Sequence, residues 1–248
     1  AGRLVHSHER ISSHHVTTFH GPPFATVFEK PWWRLISLRV AMQLFQERRE
    51  LATAQIIMPN SQIIKQQLAH YYPEYANKLS EPVVPGVAAC VLREQREVAC
   101  DGGVIGFVGK EWQRKGLPLA VAVVKLLRQN RPNLKLVVVG PDVADVQHLF
   151  ADWQCCYRSL GWNEQAPYAD FDVLLHPAKA EPYGMVISEA MAAKVPVVIS
   201  DLCGAAVHVT SSATGTVLSL DAPVHAWAEA LECQLSRTGL VPQFVHDW

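Results

Sequence analysis

Asp170 to Ser200 reads DFDVLLHPAKAEPYGMVISEAMAAKVPVVIS. Two short apolar runs, Val173 to Leu175 and Pro196 to Ile199, bracket a loop and a segment of helical character. Neither run alternates polar with apolar residues, which is the pattern of strands covered on both faces of a parallel sheet. The loop between them, HPAKAEPYG, places His176, Lys179, Glu181 and Tyr183 at the C-terminal end of a strand. Open α/β sheets bind their ligands at that edge. A helix opening near Gly184 aims backbone N–H groups at the same place, where an anion is favoured. Glu181 and Glu189 stand eight positions apart, a little over two helical turns, so both can face one cleft. The stretch outlines a site for sugar and phosphate.

Upstream, VIGFVGK (Val104 to Lys110) reads as another strand, followed by EWQRKG and an apolar helix over Leu117 to Leu127. The glycines at 103, 106 and 109 do not have the G-x-G-x-x-G spacing, and Lys110 lacks the glycine and hydroxyl residue of a P-loop. What remains is a strand end with two cations, Lys110 and Lys115, able to neutralise a diphosphate. LKLVVVG (Leu134 to Gly140) is the next strand, and Gly161-Trp162 follows a variable region. Alternating strands and helices predict an α/β fold with a doubly wound parallel sheet. Asp170-Phe171-Asp172 runs directly into a buried strand, so a carboxylate ending a turn is expected there rather than a metal site. Ser200 to Val209 makes a further strand-to-loop transition, and Asp221 to Leu235 a terminal helix. The tail VPQFVHDW carries no readable signal.

The first part of the chain is histidine-rich: His6, His8, His14, His15 and His20 are five of eleven. Leu4–Val5 and Val16–Thr18 are short β-prone runs, the second stopped by Gly21-Pro22-Pro23. The H-x-H spacing of His6 and His8 on a strand suits a metal. No carboxylate-rich motif follows, so most of these histidines are expected to line a cleft rim and donate hydrogen bonds to sugar or phosphate. From Pro31 to Thr53, Leu35, Leu38, Met42, Phe45 and Leu51 recur at helical spacing, which predicts one long helix with its apolar face toward the core. Trp32 and Trp33 beside Lys30 and Arg34 leave a second reading open, an anchor at a bilayer surface. Gln55 to Met58 reads as a strand, and Asn60-Ser61 caps a helix reaching about Ala69. The segment VVPGV, Val83 to Val87, is the expected boundary, giving domains 1–86 and 87–248.

Composition narrows the classes. With 248 residues, 49% of them hydrophobic, the chain can bury one large core or two modest ones. A net charge of −1 gives nucleic acid binding no support. Six cysteines (Cys90, Cys100, Cys155, Cys156, Cys203 and Cys233) form no C-x-x-C pair, and the absence of N-x-S/T agrees with reduced thiols and a cytoplasmic location. No apolar run is long enough to span a membrane.

GFVGKEWQRKG, together with DVLLHPAKAEPYGMVISEAMAAKVPVVISDLCG, resembles the nucleotide-binding half of family 4 glycosyltransferases of the two-domain GT-B type. The core of the match is E-x7-E, Glu181 to Glu189, with its Pro-Tyr-Gly. HSHER, TTFHGPP and MPNS resemble elements of the other domain, and R-K-G with L-L-H-P-A is nearest the lipopolysaccharide-core group. The resemblance implies two Rossmann-like domains, the first incomplete because the chain begins after that domain's first strand and glycine-rich loop. It implies retaining transfer of a hexose from a nucleotide diphosphate sugar to a saccharide or lipid-linked acceptor, with no bound metal or cofactor. The residues themselves, cysteine usage and the Trp32/Trp33 region, give the expectation of a cytoplasmic protein with a peripheral contact on the inner face of a membrane as the second reading of that region. By motif, Lys110 and Lys115 hold the diphosphate, Glu181 accepts from donor-sugar hydroxyls, and Tyr183, Gly184 and Met185 offer backbone N–H groups. Glu189 takes the ribose, Gly204 is the donor-binding residue of the phosphate loop after the last strand, and His20 contacts the donor sugar near the reacting centre. Lys110 stands where the family often has arginine, and Ala205, Ala206 and His208 replace its usual glycine and glutamate. The competing readings are a metal-dependent hydrolase built on the histidines and a catalytically silent nucleotide-sugar-binding fragment.

Overall fold

The computed structural model describes residues 3–88, 91–94, 96–163, 165–239 and 241, so Cys90 and the tail after Val241 lie outside the described residues. The chain divides into two compact units, Ala1–Pro85 and Gly86–Trp248.

The first unit holds a three-stranded parallel sheet in the order β1-β2-β3, formed by His6–Ser7, Val16–Phe19 and Ile56–Pro59. The β-prone Leu4–Val5 run lies just before β1, where Val5 O accepts from His15 and Val16 instead of joining a ladder. Helix α1 spans Leu38–Thr53 and α2 spans Gln62–Tyr71, the latter capped by Ser61, whose Oγ accepts from Ile64 N at 3.3 Å. Ile57, Ile64, Leu68 and Leu51 are fully buried between sheet and helices.

The expected long helix from Pro31 is corrected on two counts. Trp32–Arg34 is a 3-10 turn, and only Leu38–Thr53 is α-helical. Its inner face carries Glu47, Glu50 and Leu51, while Leu38 and Phe45 are 81% and 65% exposed. The reason is hydrogen bonding. Glu47 accepts from Phe24 N at 2.6 Å, Ala25 N at 3.1 Å and Tyr72 OH at 2.6 Å, and Arg10 lies 3.2 Å away. Glu50 accepts from Thr17 at 2.5 Å. Donors that would otherwise be stranded inside a small core hold these carboxylates inward, and the apolar stripe is rotated out.

The second unit is one parallel sheet in the order β6-β5-β4-β7-β8-β9. Its strands are β4 (Val104–Val108), β5 (Lys135–Val139), β6 (Tyr157–Ser159), β7 (Val173–His176), β8 (Val197–Ser200) and β9 (Gly215–Leu218). Counted within the unit this is 3-2-1-4-5-6, the doubly wound order, which reverses direction between β4 and β7. Helices α3 (Leu117–Leu127) and α6 (Val224–Leu235) cover one face, and Phe107, Val173, Leu175, Leu127, Trp227 and Leu231 interlock there. A four-residue α4, Val143–Val146, follows β5, and α5, Met185–Ala192, lies between β7 and β8. β4, β7 and β8 are buried almost throughout, as unalternating apolar runs require. Asp172 settles the D-x-D question: it is buried, paired with Arg93, and accepts from Val104 N at 2.6 Å.

Candidate active site

The C-terminal ends of β4 and β7, at the point where the strand order reverses, carry the loops that hold most of the candidate residues. Beyond β7 the chain runs His176-Pro177-Ala178-Lys179-Ala180-Glu181. Glu181 is 8% exposed, and its Oε2 is in direct contact with Lys115 Nζ. Arg114 lies 4.0 Å from the same oxygen, while its guanidinium donates to Ala180 O and forms a pair with Glu111 at 2.9 Å. Glu181 is therefore held by cations from the loop after β4.

Backbone geometry brings the two loops together. Gly116 has φ +84°, and a Cβ there would sit 2.0 Å from the carbonyl oxygen of Pro177. Lys179 N donates to Arg114 O at 2.8 Å, and Ser200 Oγ donates to Ala178 O at 2.6 Å. Burial first, and then Arg114, pulls the Lys115 amine down to about 8. His176 lies under the same group, fully buried, with Nε2 3.4 Å from Glu181 Oε2. Burial, then Lys115 and Arg114, lowers its pKa to about 3, so the ring stays neutral.

Helix α5 begins at Met185, with Gly184 as N-cap in the left-handed region at φ +103°. A Cβ at Gly184 would lie 2.8 Å from Ile187 and 3.1 Å from Glu181, so both conformation and space select glycine. The helix's first-turn N–H groups point from this start. Tyr183 is buried, with its hydroxyl 2.9 Å from Ser188 Oγ. Gly204 N donates to Glu181 O at 3.0 Å and Ala205 N to Tyr183 O at 2.7 Å. Gly204 thus braces the Glu181 loop and has its N–H occupied. Half-buried Glu189 accepts from the Tyr168 hydroxyl. Lys110 lines an open groove with Trp112, Arg114, Pro141 and Asp145, on the loops after β4 and β5.

In the first unit, His20 follows β2. Its Nε2 stands 2.8 Å from His8 Nδ1, and Asn60 Nδ2 donates to its carbonyl at 3.0 Å. Burial, then His8 and His6, lowers its pKa. The expectation that most of the histidines form a rim is corrected in part. His14 is buried with Nε2 3.2 Å from Glu50 O, and His15 Nδ1 accepts from Val5 N at 3.1 Å, so both brace the sheet. Among the described residues no three His, Cys, Asp or Glu side chains are placed to hold a metal ion, so the hydrolase reading has no centre to rest on.

Two residues here went unread in the sequence. Arg114 had a signal, the cation beside Lys115 in the loop after β4. Tyr168 reaches Glu189 across 21 positions with no local pattern.

Residues 102–237 match the profile of the family described as Glycosyl transferases group 1, more than half of the 248-residue chain. The chain belongs to the group 1 glycosyl transferases. A D-inositol 3-phosphate glycosyltransferase of Corynebacterium glutamicum (strain R) is 25% identical over 209 residues, 75% of this chain and 50% of that protein. The lipopolysaccharide glucosyltransferase WaaG of Escherichia coli (strain K12) is 32% identical over 135 residues, 52% of this chain and 36% of that one. This group 1 chain thus spans half or less of the length of these curated relatives. The crystal structure of WaaG, a glycosyltransferase involved in lipopolysaccharide biosynthesis, superposes with a TM-score of 0.77 at 20% identity, covering 95% of this chain and 70% of that one. Anabaena HepE in complex with UDP-glucose gives 0.63 at 18%, covering 88% and 62%. These likenesses fix the fold as the two-domain GT-B type.

Proposed function

We propose that the protein transfers a hexose, with retention at the anomeric carbon, from a nucleotide diphosphate sugar to a saccharide or glycolipid acceptor in cell-envelope glycan synthesis. The observation that carries this reading is the Lys115–Glu181 contact at the switch point of the second unit's sheet. A leaving nucleotide diphosphate gathers negative charge on its departing oxygen. Lys115, Arg114 and the start of α5 meet that charge, and the interaction strengthens as the bond breaks. In this reading no metal or cofactor is called for, and Lys110 holds the outer end of the diphosphate. Glu181 accepts from donor-sugar hydroxyls and orients the anomeric carbon, which is positioning rather than acid–base work. Glu189, held by Tyr168, takes the ribose hydroxyls, and Tyr183, Gly184 and Met185 supply the backbone around the phosphate. His20 contacts the donor sugar. Two relatives point the same way by name: WaaG of Escherichia coli is a lipopolysaccharide glucosyltransferase, and the Corynebacterium glutamicum relative is a D-inositol 3-phosphate glycosyltransferase.

Calorimetry against UDP, GDP and ADP tests the site. One nucleotide should bind best, and Glu189→Ala should weaken it by about 10- to 100-fold, the loss of hydrogen bonds to a charged group. Equal binding by Glu189→Ala would sink the ribose assignment.

The same reading places the protein on the cytoplasmic face of a membrane through the Trp32/Trp33 region. Trp32, Trp33, Ile36, Leu38 and Phe45 are all more than 60% exposed, and Lys30, Arg34 and Arg39 are exposed among them. Among the described residues no helix is long and apolar enough to cross a bilayer, so contact would lie in the interface. Vesicles of anionic phospholipid should sediment the protein, neutral ones much less. Changing Trp32 and Trp33 to serine should lower the bound fraction roughly tenfold. Equal retention by both vesicle types would remove the basic residues from the argument.

A further inference from the structure

The turn leading into β6 holds two adjacent cysteines whose arrangement no part of the transfer chemistry uses. Cys155 Sγ and Cys156 Sγ lie 3.0 Å apart, with Cys155 exposed and Cys156 half-exposed. Cys156 has φ +71°, one of two non-glycine residues in the left-handed region among those described. A non-glycine residue held there marks a backbone the surroundings over-determine. Those surroundings are firm. Phe150 stacks on Tyr157 at 4.3 Å and meets Trp153 edge-on at 5.3 Å, and Arg128 lies over the Trp153 ring at 4.7 Å. Cys156 O accepts from Leu136 N at 3.0 Å, which fixes the turn to β5.

We propose that Cys155 and Cys156 form a reversible oxidation site in which a hydroperoxide converts the two thiols to a vicinal disulfide. The geometry divides the labour. Arg128 donates toward Cys155 Sγ at 3.7 Å, so a negative charge on that sulfur has a partner, and the same sulfur is open to solvent. Cys156 is the resolving thiol: its hydrogen bond with Cys155, then burial, pushes its pKa up. Cys155 loses its proton and attacks one peroxide oxygen. The O–O bond breaks, the sulfur takes that oxygen as sulfenic acid, and the departing hydroxide collects the proton as water. Cys156 then attacks the sulfenic sulfur. The S–O bond breaks and a second water leaves with the Cys156 proton. Two thiols and one hydrogen peroxide give one disulfide and two waters, with two electrons passing to the peroxide.

The bond should be easy to reduce. Adjacent Cα atoms are about 3.8 Å apart across a trans peptide, whereas ordinary disulfides span about 4.4–6.8 Å. A strained, exposed disulfide is of the labile kind. Oxidation would act on the edge strand. β6 pairs with β5 from Leu136–Tyr157 onward, and Gly161 O just beyond it accepts from Gly140 N at 2.7 Å.

The test is thiol mapping of the full chain by mass spectrometry after a limited dose of hydrogen peroxide. The peptide carrying Cys155 and Cys156 should lose two hydrogens, roughly tenfold faster than exposed Cys100 and Cys233 lose their thiols. Dithiothreitol should restore it. Cys156→Ser should stop at a sulfenic acid on Cys155 that dimedone traps, and Arg128→Ala should slow the first step several-fold. Oxidation no faster than at Cys100, or disulfides only between separate chains, would overturn the site. Undiminished reaction of Cys156 in a Cys155→Ser chain would overturn the division of roles.

Discussion

Replacing Lys115 with alanine is expected to weaken nucleoside diphosphate binding by about 10- to 150-fold, the range of a hydrogen bond to a charged group. Three facts set this expectation. Lys115 is 14% exposed at its side chain, it contacts Glu181 directly, and it sits in the loop that follows β4, the strand at which the sheet order reverses. Arg114 remains in the variant, so binding should be reduced rather than lost. pH gives an independent check, because burial and Arg114 lower the Lys115 pKa from 10.5 to about 8. In the free protein the ammonium loses its proton as pH rises through that value, so affinity should fall above about 8. Lys115→Arg keeps its charge and should flatten the profile. Stability runs the other way. The folded state holds this proton less tightly than the unfolded chain, so the cost of the buried ammonium is fully present below about 8. It is relieved as pH rises toward 10.5. Calorimetry and thermal melts across pH 7 to 10 should thus move in opposite directions. An affinity independent of pH would mean that Lys115 does not meet the diphosphate.

How far the sequence could be read follows from the range of the interactions involved. The middle of the second unit was legible because β4, β7 and β8 are buried on both faces and announce themselves as unbroken apolar runs, whereas β6 and β9, with exposed residues and no such run, went unread; α3 occupies Leu117–Leu127, as its composition predicts. The E-x7-E pair was legible for the same local reason, since one loop and one helix carry both carboxylates. Tyr168 on Glu189 was not, because its partner is chosen by the sheet and not by spacing. Helix α1 is the sharpest divergence. Apolar periodicity assigns Leu38, Met42 and Phe45 to the core, but periodicity cannot register that four donors converge on Glu47.

Those four donors make Glu47→Ala the substitution with the largest expected cost in stability. Glu47 is fully buried, and Tyr72 is 4% exposed. Removing the carboxylate strands the Tyr72 hydroxyl and the Phe24 and Ala25 N–H groups, and leaves Arg10 with Gln43 as its remaining acceptor. Breaking a buried charged partner in this way costs about 3–5 kcal/mol, comparable to the whole stability of a small domain. The first unit should therefore lose its structure while the second persists, which hydrogen exchange on the full chain would show as lost protection in β2, β3 and α2 alone. Tyr72→Phe removes one hydrogen bond and should cost only about 1 kcal/mol. Arg48→Ala breaks the exposed pair with Glu74 and should cost less than about 1 kcal/mol. If Glu47→Ala keeps native protection in β2 and α2, water must satisfy the stranded donors, and the carboxylate is not what turns the apolar face of α1 outward.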